Sequence, residues 1–288
     1  MASKYVRSLI DAGIHFGHRT SRWNPKMSPY IFGKRNLIHI IDIRETVKGL
    51  LRAKKFLSGV ASKGQDVLFV GTKRQARNAV AQAAERTGMH YVAERWLGGT
   101  LTNYRTIRSR LSRLEELETI EAEGMADKYS KKMIATLTRE RRKIHRNLEG
   151  IRRMNKLPGA LVLIDVQREI IAAKEARKLG IPVIALIDTD SDPDFVDIPI
   201  PGNDDAMRAI ELVLEELCES MLAGKRGRPA EDGTDEAGRG PRAARRSSRA
   251  TARAGKKEAK TNPEPAASDD SDTATAENPP TGSPVAST

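Results

Sequence analysis

Apolar residues along this chain follow two rhythms. Val67-Leu68-Phe69-Val70, Ala160-Leu161-Val162-Leu163-Ile164 and Val183-Ile184-Ala185-Leu186-Ile187 are short runs without a polar interruption, the pattern of strands buried on both faces. Leu37 to Ile43 is another run of strand type, and Val196-Asp197-Ile198-Pro199 reads as a short edge strand. Between these runs apolar residues recur at helical spacing. The helices expected are residues 3–12 ending at Gly13, Arg44 to Ser62 closed by Gly64, a segment after Arg74 stopped at Gly88, and Arg168–Leu179. A last helix is opened by Gly202-Asn203-Asp204-Asp205 and runs to Ala223. About five strands with helices between them predict one doubly wound α/β domain with a mostly parallel sheet.

Residues 103–153 break that alternation. Ile107, Leu111, Leu114 and Leu117 recur at helical spacing, as do Leu137, Ile144, Leu148 and Ile151, with Gly124 and Asp127-Lys128-Tyr129-Ser130 supplying a turn. The pattern predicts an antiparallel helical hairpin with a coiled-coil seam, inserted in the middle of the α/β body. The expected organisation is 1–102 and 158–223 as the two parts of the α/β domain, 103–157 as the hairpin and 224–288 as a tail. The tail has no aromatic residue, is basic over Arg239–Lys260 and acidic over Asp269–Glu277, and is expected to be disordered.

Charge narrows the choice of partner. The chain carries 50 basic and 38 acidic side chains, a net charge of +12. Residues 1–224 hold 38 of the basic and 28 of the acidic groups, so +10 belongs to the part expected to fold. Such an excess favours a polyanion, nucleic acid or an anionic membrane. No uncharged apolar run approaches the ~20 residues a membrane span needs, and no sustained apolar stretch follows Met1 to Lys4, so neither a span nor a secretory leader is expected. The one cysteine, Cys218, lies in an apolar helical pattern and fits packing in a reducing, cytoplasmic setting.

Candidate RNA contacts fall in three places. Basic and aromatic residues alternate with Pro and Gly over His15, His18, Arg19, Arg22, Trp23, Asn24, Lys26, Lys34, Arg35 and Asn36, which reads as an irregular loop laid along RNA. The turn Gly71-Thr72-Lys73-Arg74 lacks the spacing of a nucleotide loop, but Lys73 and Arg74 could reach phosphate. Around Arg95-Trp96-Leu97-Gly98-Gly99-Thr100-Leu101-Thr102-Asn103, paired glycines can expose successive N–H groups to an anion. Arg95 flanks that turn on one side and Arg105, Arg108 and Arg110 on the other; Trp96 is either a core anchor or a face for a base, and Thr100, Thr102 and Asn103 are candidate helix caps. In an antiparallel hairpin the basic clusters Arg105–Arg113 and Arg139–Arg146 meet near this turn.

A different chemistry is offered by Asp188, Asp190, Asp192 and Asp194, which follow a buried strand where open α/β sheets bind ligands. Asp188-Thr189-Asp190 with Asn203-Asp204-Asp205 suggests a magnesium-dependent phosphohydrolase with an aspartyl nucleophile. Only 15 positions separate Asp188 from Asn203, too few for the elements such a site needs, so that reading ranks second and no cofactor is required. A structural magnesium or zinc ion on Asp188, Asp204 and Asp205, assisted by His15 or His18, is the metal alternative. A stand-alone RNA-binding module is the third.

The segments His15 to Ile43, Val67–Ala76, Arg95–Tyr104, Pro158–Asp165, Lys174 to Pro182 and Ile198–Asp205 together resemble the family of the second small-subunit ribosomal protein of bacteria (S two, or uS two). The similarity runs from residue 5 to 223 in the family's order, and Trp96-Leu97-Gly98-Gly99-Thr100-Leu101-Thr102-Asn103 is its most specific stretch. It departs from the family at Asp190, where Asn is common, and at Val166, where Pro is common. The resemblance implies a flavodoxin-like sheet with an extended helical hairpin. It also implies a non-catalytic subunit bound to small-subunit ribosomal RNA between head and body, beside other small-subunit proteins, that helps recruit the messenger-binding protein S one. No membrane and no small-molecule substrate are expected.

Overall fold

The structure, a computed structural model, describes residues 2–122 and 129–227. Its centre is a five-stranded sheet of β4 (Val67–Val70), β5 (His90–Val92), β6 (Ala160–Ile164), β7 (Val183–Ile187) and β8 (Ile198–Pro201), every neighbouring pair parallel. The spatial order is β5-β4-β6-β7-β8. Counted from β4 that is the 2-1-3-4-5 order of the flavodoxin-like doubly wound fold, with the switch point between β4 and β6.

Successive strand residues point to opposite faces, and β4 shows it: Val67 and Phe69 join one core, Leu68 and Val70 the other. The first core is covered by α1 (Ala2–Asp11), α2 (Ile43–Ser62), α3 (Arg77–Thr87) and α7 (Met207–Arg226), which contribute Leu9, Leu50, Val80 and Leu214 among others. The second is covered by α6 (Ile170–Lys178) and the base of the hairpin, with Trp96, Leu101, Ile107 and Ile151.

One strand and one loop expected from the sequence are corrected. Leu37 to Ile43 is not a strand of the parallel sheet: Ile38–Ile41 is β3, the middle strand of a separate antiparallel sheet with β1 (Phe16–Arg19) and β2 (Ile31–Arg35). The segment from His15 to Asn36 is therefore not an irregular loop but two strands joined by short 3-10 turns, since its prolines fall in those turns. The missing member of the large sheet is β5, whose three residues are too few to show a pattern.

The hairpin consists of α4 (Tyr104–Ala122) and α5 (Lys131–Leu148), the latter capped by Ser130. Ile107, Leu111, Leu114 and Leu117 are buried on α4, whereas on α5 Leu148 is buried and Leu137 and Ile144 are half-buried. Arginines cross the seam to carboxylates: Arg141 to Glu121 at 2.7 Å and Arg152 to Glu118 at 2.7 Å, with Arg113 3.7 Å from Glu140. The turn expected at Gly124 and Asp127 lies outside the described residues, as does the tail from residue 228. Helix α7 continues to Arg226, three residues past the Ala223 at which it was expected to end. Gly224 is buried against α2, so close that a Cβ would sit 2.4 Å from the Ser58 carbonyl oxygen.

Candidate nucleic-acid interface and aspartate crevice

The glycine turn binds an anion, and the anion is the protein's own. Gly99, at φ +88, points its N–H at Glu175 of α6 (2.7 Å), joined by Leu101 N–H (3.0 Å) and Thr102 N–H (3.2 Å). Trp96 Nε1 (3.2 Å) and the Thr102 hydroxyl (3.3 Å) donate to the same carboxylate. Burial raises the pKa of Glu175, but these hydrogen bonds outweigh it and hold the carboxyl below the usual range. The phosphate expected at these N–H groups is thus displaced by a carboxylate. Trp96, 8% exposed, is a core anchor rather than a stacking face. Thr100 is buried and donates to Leu97 O (2.6 Å), so it does not cap α4; Asn103 directly precedes that helix and takes a bond from the Thr106 hydroxyl (2.9 Å). Sequence reading missed Glu175. Its signal was a lone acid sharing a helix face with Ala172 and Ala176.

The candidate cations divide into free and engaged. Arg19, Lys34 and Arg35 on the small sheet, Arg22 in the turn after β1, Arg74, Arg95, and Arg105 and Arg110 on α4 are exposed and form no ion pair among the described residues. Arg108 is exposed and donates to Met154 O (3.4 Å). Arg110 and Lys143 line one cleft of about 310 Å³ with Leu97, Ile144 and the acidic Glu140, so basic residues of α4 and α5 meet beside the glycine turn with one carboxylate among them. Lys26, by contrast, grips Asp192 (2.9 Å) and Asp194. Asn24 is bound into the fold, donating its N–H to Thr189 O (2.8 Å) and capping Lys26 N. Trp23 is 38% exposed beside the buried His39 ring, centroids 5.2 Å apart, and His15 stacks on Phe16. Asn36 sits in the β2–β3 turn.

Lys73 is not a surface cation. It follows β4 at the switch point and is buried against Asp204 (2.6 Å), Asp205 (2.6 Å) and Asp165 (3.6 Å), which follow β8 and β6. Burial opposes its charge, yet these carboxylates hold the ammonium above the usual lysine range. His18 enters from β1, with Nδ1 2.9 Å from Asp188 and Nε2 3.4 Å from Asp205 and 3.9 Å from Asp190. The contact with Asp188 raises its pKa to about 9 against the opposing effect of burial. Asp204 is pushed up to about 7 by burial and by Asp165 and Asp188, with Lys73 opposing. Single ligand atoms of His18, Asp188 and Asp204 lie within 4.8 Å of one another, so one imidazole and two carboxylates can meet on a divalent ion. His15 is not part of this group.

Comparison with known proteins agrees with this architecture. The family model for ribosomal protein S2 matches residues 9–224. The small ribosomal subunit protein uS2 of Rhodopirellula baltica is 57% identical over 244 residues, 85% of this chain and 94% of its own length. The uS2 of Syntrophobacter fumaroxidans is 50% identical over 226 residues, 78% of this chain and 82% of its own.

Proposed function

The chain belongs to the ribosomal protein S2 family, constituents of the small ribosomal subunit, and on that premise we propose that it docks on small-subunit ribosomal RNA in the cytoplasm by phosphate neutralisation. The carrying observation is the contrast among its cations. Arg113, Arg141 and Arg152 of the hairpin are matched by carboxylates, whereas Arg19, Arg22, Lys34, Arg35, Arg95, Arg105 and Arg110 have none among the described residues. Unmatched exposed charges repel one another unless a polyanion takes them. Arg95→Ala combined with Arg105→Ala should weaken binding to ribosomal RNA and flatten its salt dependence, each lost phosphate contact lowering the slope by about 0.7–0.9. Unchanged affinity and slope in a filter-binding series would refute the assignment.

Recruitment of S one is the finer part of the proposal. Val6, His15, Phe32, Ile40 and Val47 line an apolar cavity of about 610 Å³ at the junction of α1, the small sheet and α2, and Phe32 is 79% exposed. A groove of that kind suits an amphipathic segment of a protein partner. Phe32→Ser should lower the S one content of purified small subunits about ten-fold, the effect of losing an aromatic anchor. Subunits with their full complement of S one would sink the groove assignment.

The aspartate crevice is inferred to be structural. Asp188 and Asp204 are each 1% exposed, leaving a phosphate ester no approach to either carboxylate, and a phosphohydrolase reading is therefore not favoured. The donor set His18, Asp188 and Asp204 instead suits a structural zinc or magnesium ion. Such an ion would tie β1 to the ends of β7 and β8.

A further inference from the structure

The turn joining β2 to β3 runs through Asn36 and Leu37, both with positive φ, +50 and +62. A two-residue hairpin turn of the primed type needs such angles, and glycine ordinarily fills the second position. Asparagine tolerates the left-handed region, but a leucine there crowds its own Cβ against the backbone. Burial does not compensate, because Leu37 is 76% exposed. The fold thus holds a strained, solvent-facing apolar side chain where glycine would sit without strain. Strain of this kind gathers where a side chain has to be presented to something.

The surroundings identify what that is. Lys34 and Arg35 precede the turn on β2, Arg19 lies opposite Ile38 on β1, and Thr20 N–H donates to Leu37 O at 2.9 Å, tying the end of β1 to the tip. Arg19, Lys34 and Arg35 are exposed and form no ion pair among the described residues. No acidic residue occurs from His15 to Ile41. An apolar protein pocket would have to desolvate three uncompensated cations to receive this leucine. Single-stranded RNA offers phosphates to the cations and an unstacked base face to the leucine.

We propose that the β2–β3 tip is an RNA-contacting finger, in which Leu37 wedges against an unpaired base of small-subunit ribosomal RNA while Lys34 and Arg35 hold the flanking phosphates. This rests on the RNA-docking reading above and adds to it a contact made by an apolar side chain.

The test uses the full chain and a small-subunit ribosomal RNA transcript, with affinity measured over a salt series and thermal melting measured on the free protein. Leu37→Gly should melt about 2–4 °C higher, because the strain is relieved, yet bind the transcript about ten-fold more weakly, the scale of one lost base contact. Its salt slope should stay at the wild-type value. Leu37→Asn should show the same loss of affinity, whereas Lys34→Ala with Arg35→Ala should lower the slope by about 1.4. Wild-type affinity in both Leu37 variants overturns the finger, and so does a lower melting temperature for Leu37→Gly. Wild-type RNA affinity combined with loss of the variants from small subunits on a gradient assigns the tip to a protein neighbour and also overturns it. If the wild-type chain itself shows no salt-dependent binding, the RNA-docking reading fails first and the finger with it.

Discussion

Replacing Glu175 by alanine should lower the stability of the free protein by about 3–5 kcal/mol, since two buried and two half-buried N–H donors lose their acceptor together. For a domain of this size that is a fall in melting temperature of about 10 °C. Three backbone N–H groups and the Trp96 indole N–H converge on this carboxylate, and among the described residues they have no other acceptor. Glu175→Gln should cost less than the alanine change but more than a surface substitution: its amide oxygen can serve Trp96 and Gly99, while its NH2 group opposes the N–H of Leu101 and Thr102. The sign of the pH dependence follows from the carboxyl being held low in the folded state. Its contribution is complete above the unfolded glutamate value of about 4.3 and is lost as pH falls through the folded value. The gap between wild type and Glu175→Gln should therefore narrow on acidification below about pH 4. A melting temperature for Glu175→Ala within two degrees of wild type would show that water satisfies the turn instead.

Lys73→Met carries the second large effect, also about 3–5 kcal/mol when measured in chelator, because buried carboxylates lose their counter-charge. Asp204 is 1% exposed and Asp165 6%, and Lys73 opposes the burial that already raises the Asp204 pKa to about 7. Zinc or magnesium bound by His18, Asp188 and Asp204 would supply positive charge to the same crevice. Added ion at one hundred times its dissociation constant should return about 2.7 kcal/mol of the loss. Failure of both ions to raise the melting temperature of either the variant or the wild type would mean that the cluster holds no cation.

The strands at Val67, Ala160 and Val183 were readable because a strand covered on both faces shows an unbroken apolar run. The hairpin was readable from its heptad-like leucines. What escaped depended on contacts between residues far apart in the chain. The glycine turn reads as a phosphate site, but nothing local says that its N–H groups are already taken by a side chain 76 positions away from Gly99. Lys73 looked like a surface cation because its three carboxylate partners come from the ends of other strands. Leu37 was placed in a strand because leucine is a poor signal for a left-handed turn. The unmatched arginines were legible as residues, while their freedom from acids was not.

The central pair of the sheet has a consequence for the order in which the molecule can be made. β4 and β6 join Val67 to Ala160 in register, across 93 positions of chain that include the whole hairpin. Closing a loop of that length is entropically unfavourable and slow, whereas α4 and α5 meet through contacts between near neighbours in the chain. On a chain emerging from its N-terminus, β4, β5 and the hairpin are all made before β6, and the hairpin can zip in the interval. Once it has done so, the two ends of the insertion stand close together and the effective loop that β6 must close is far shorter. The arm that carries part of the proposed RNA surface is thus also the splint on which the sheet is set.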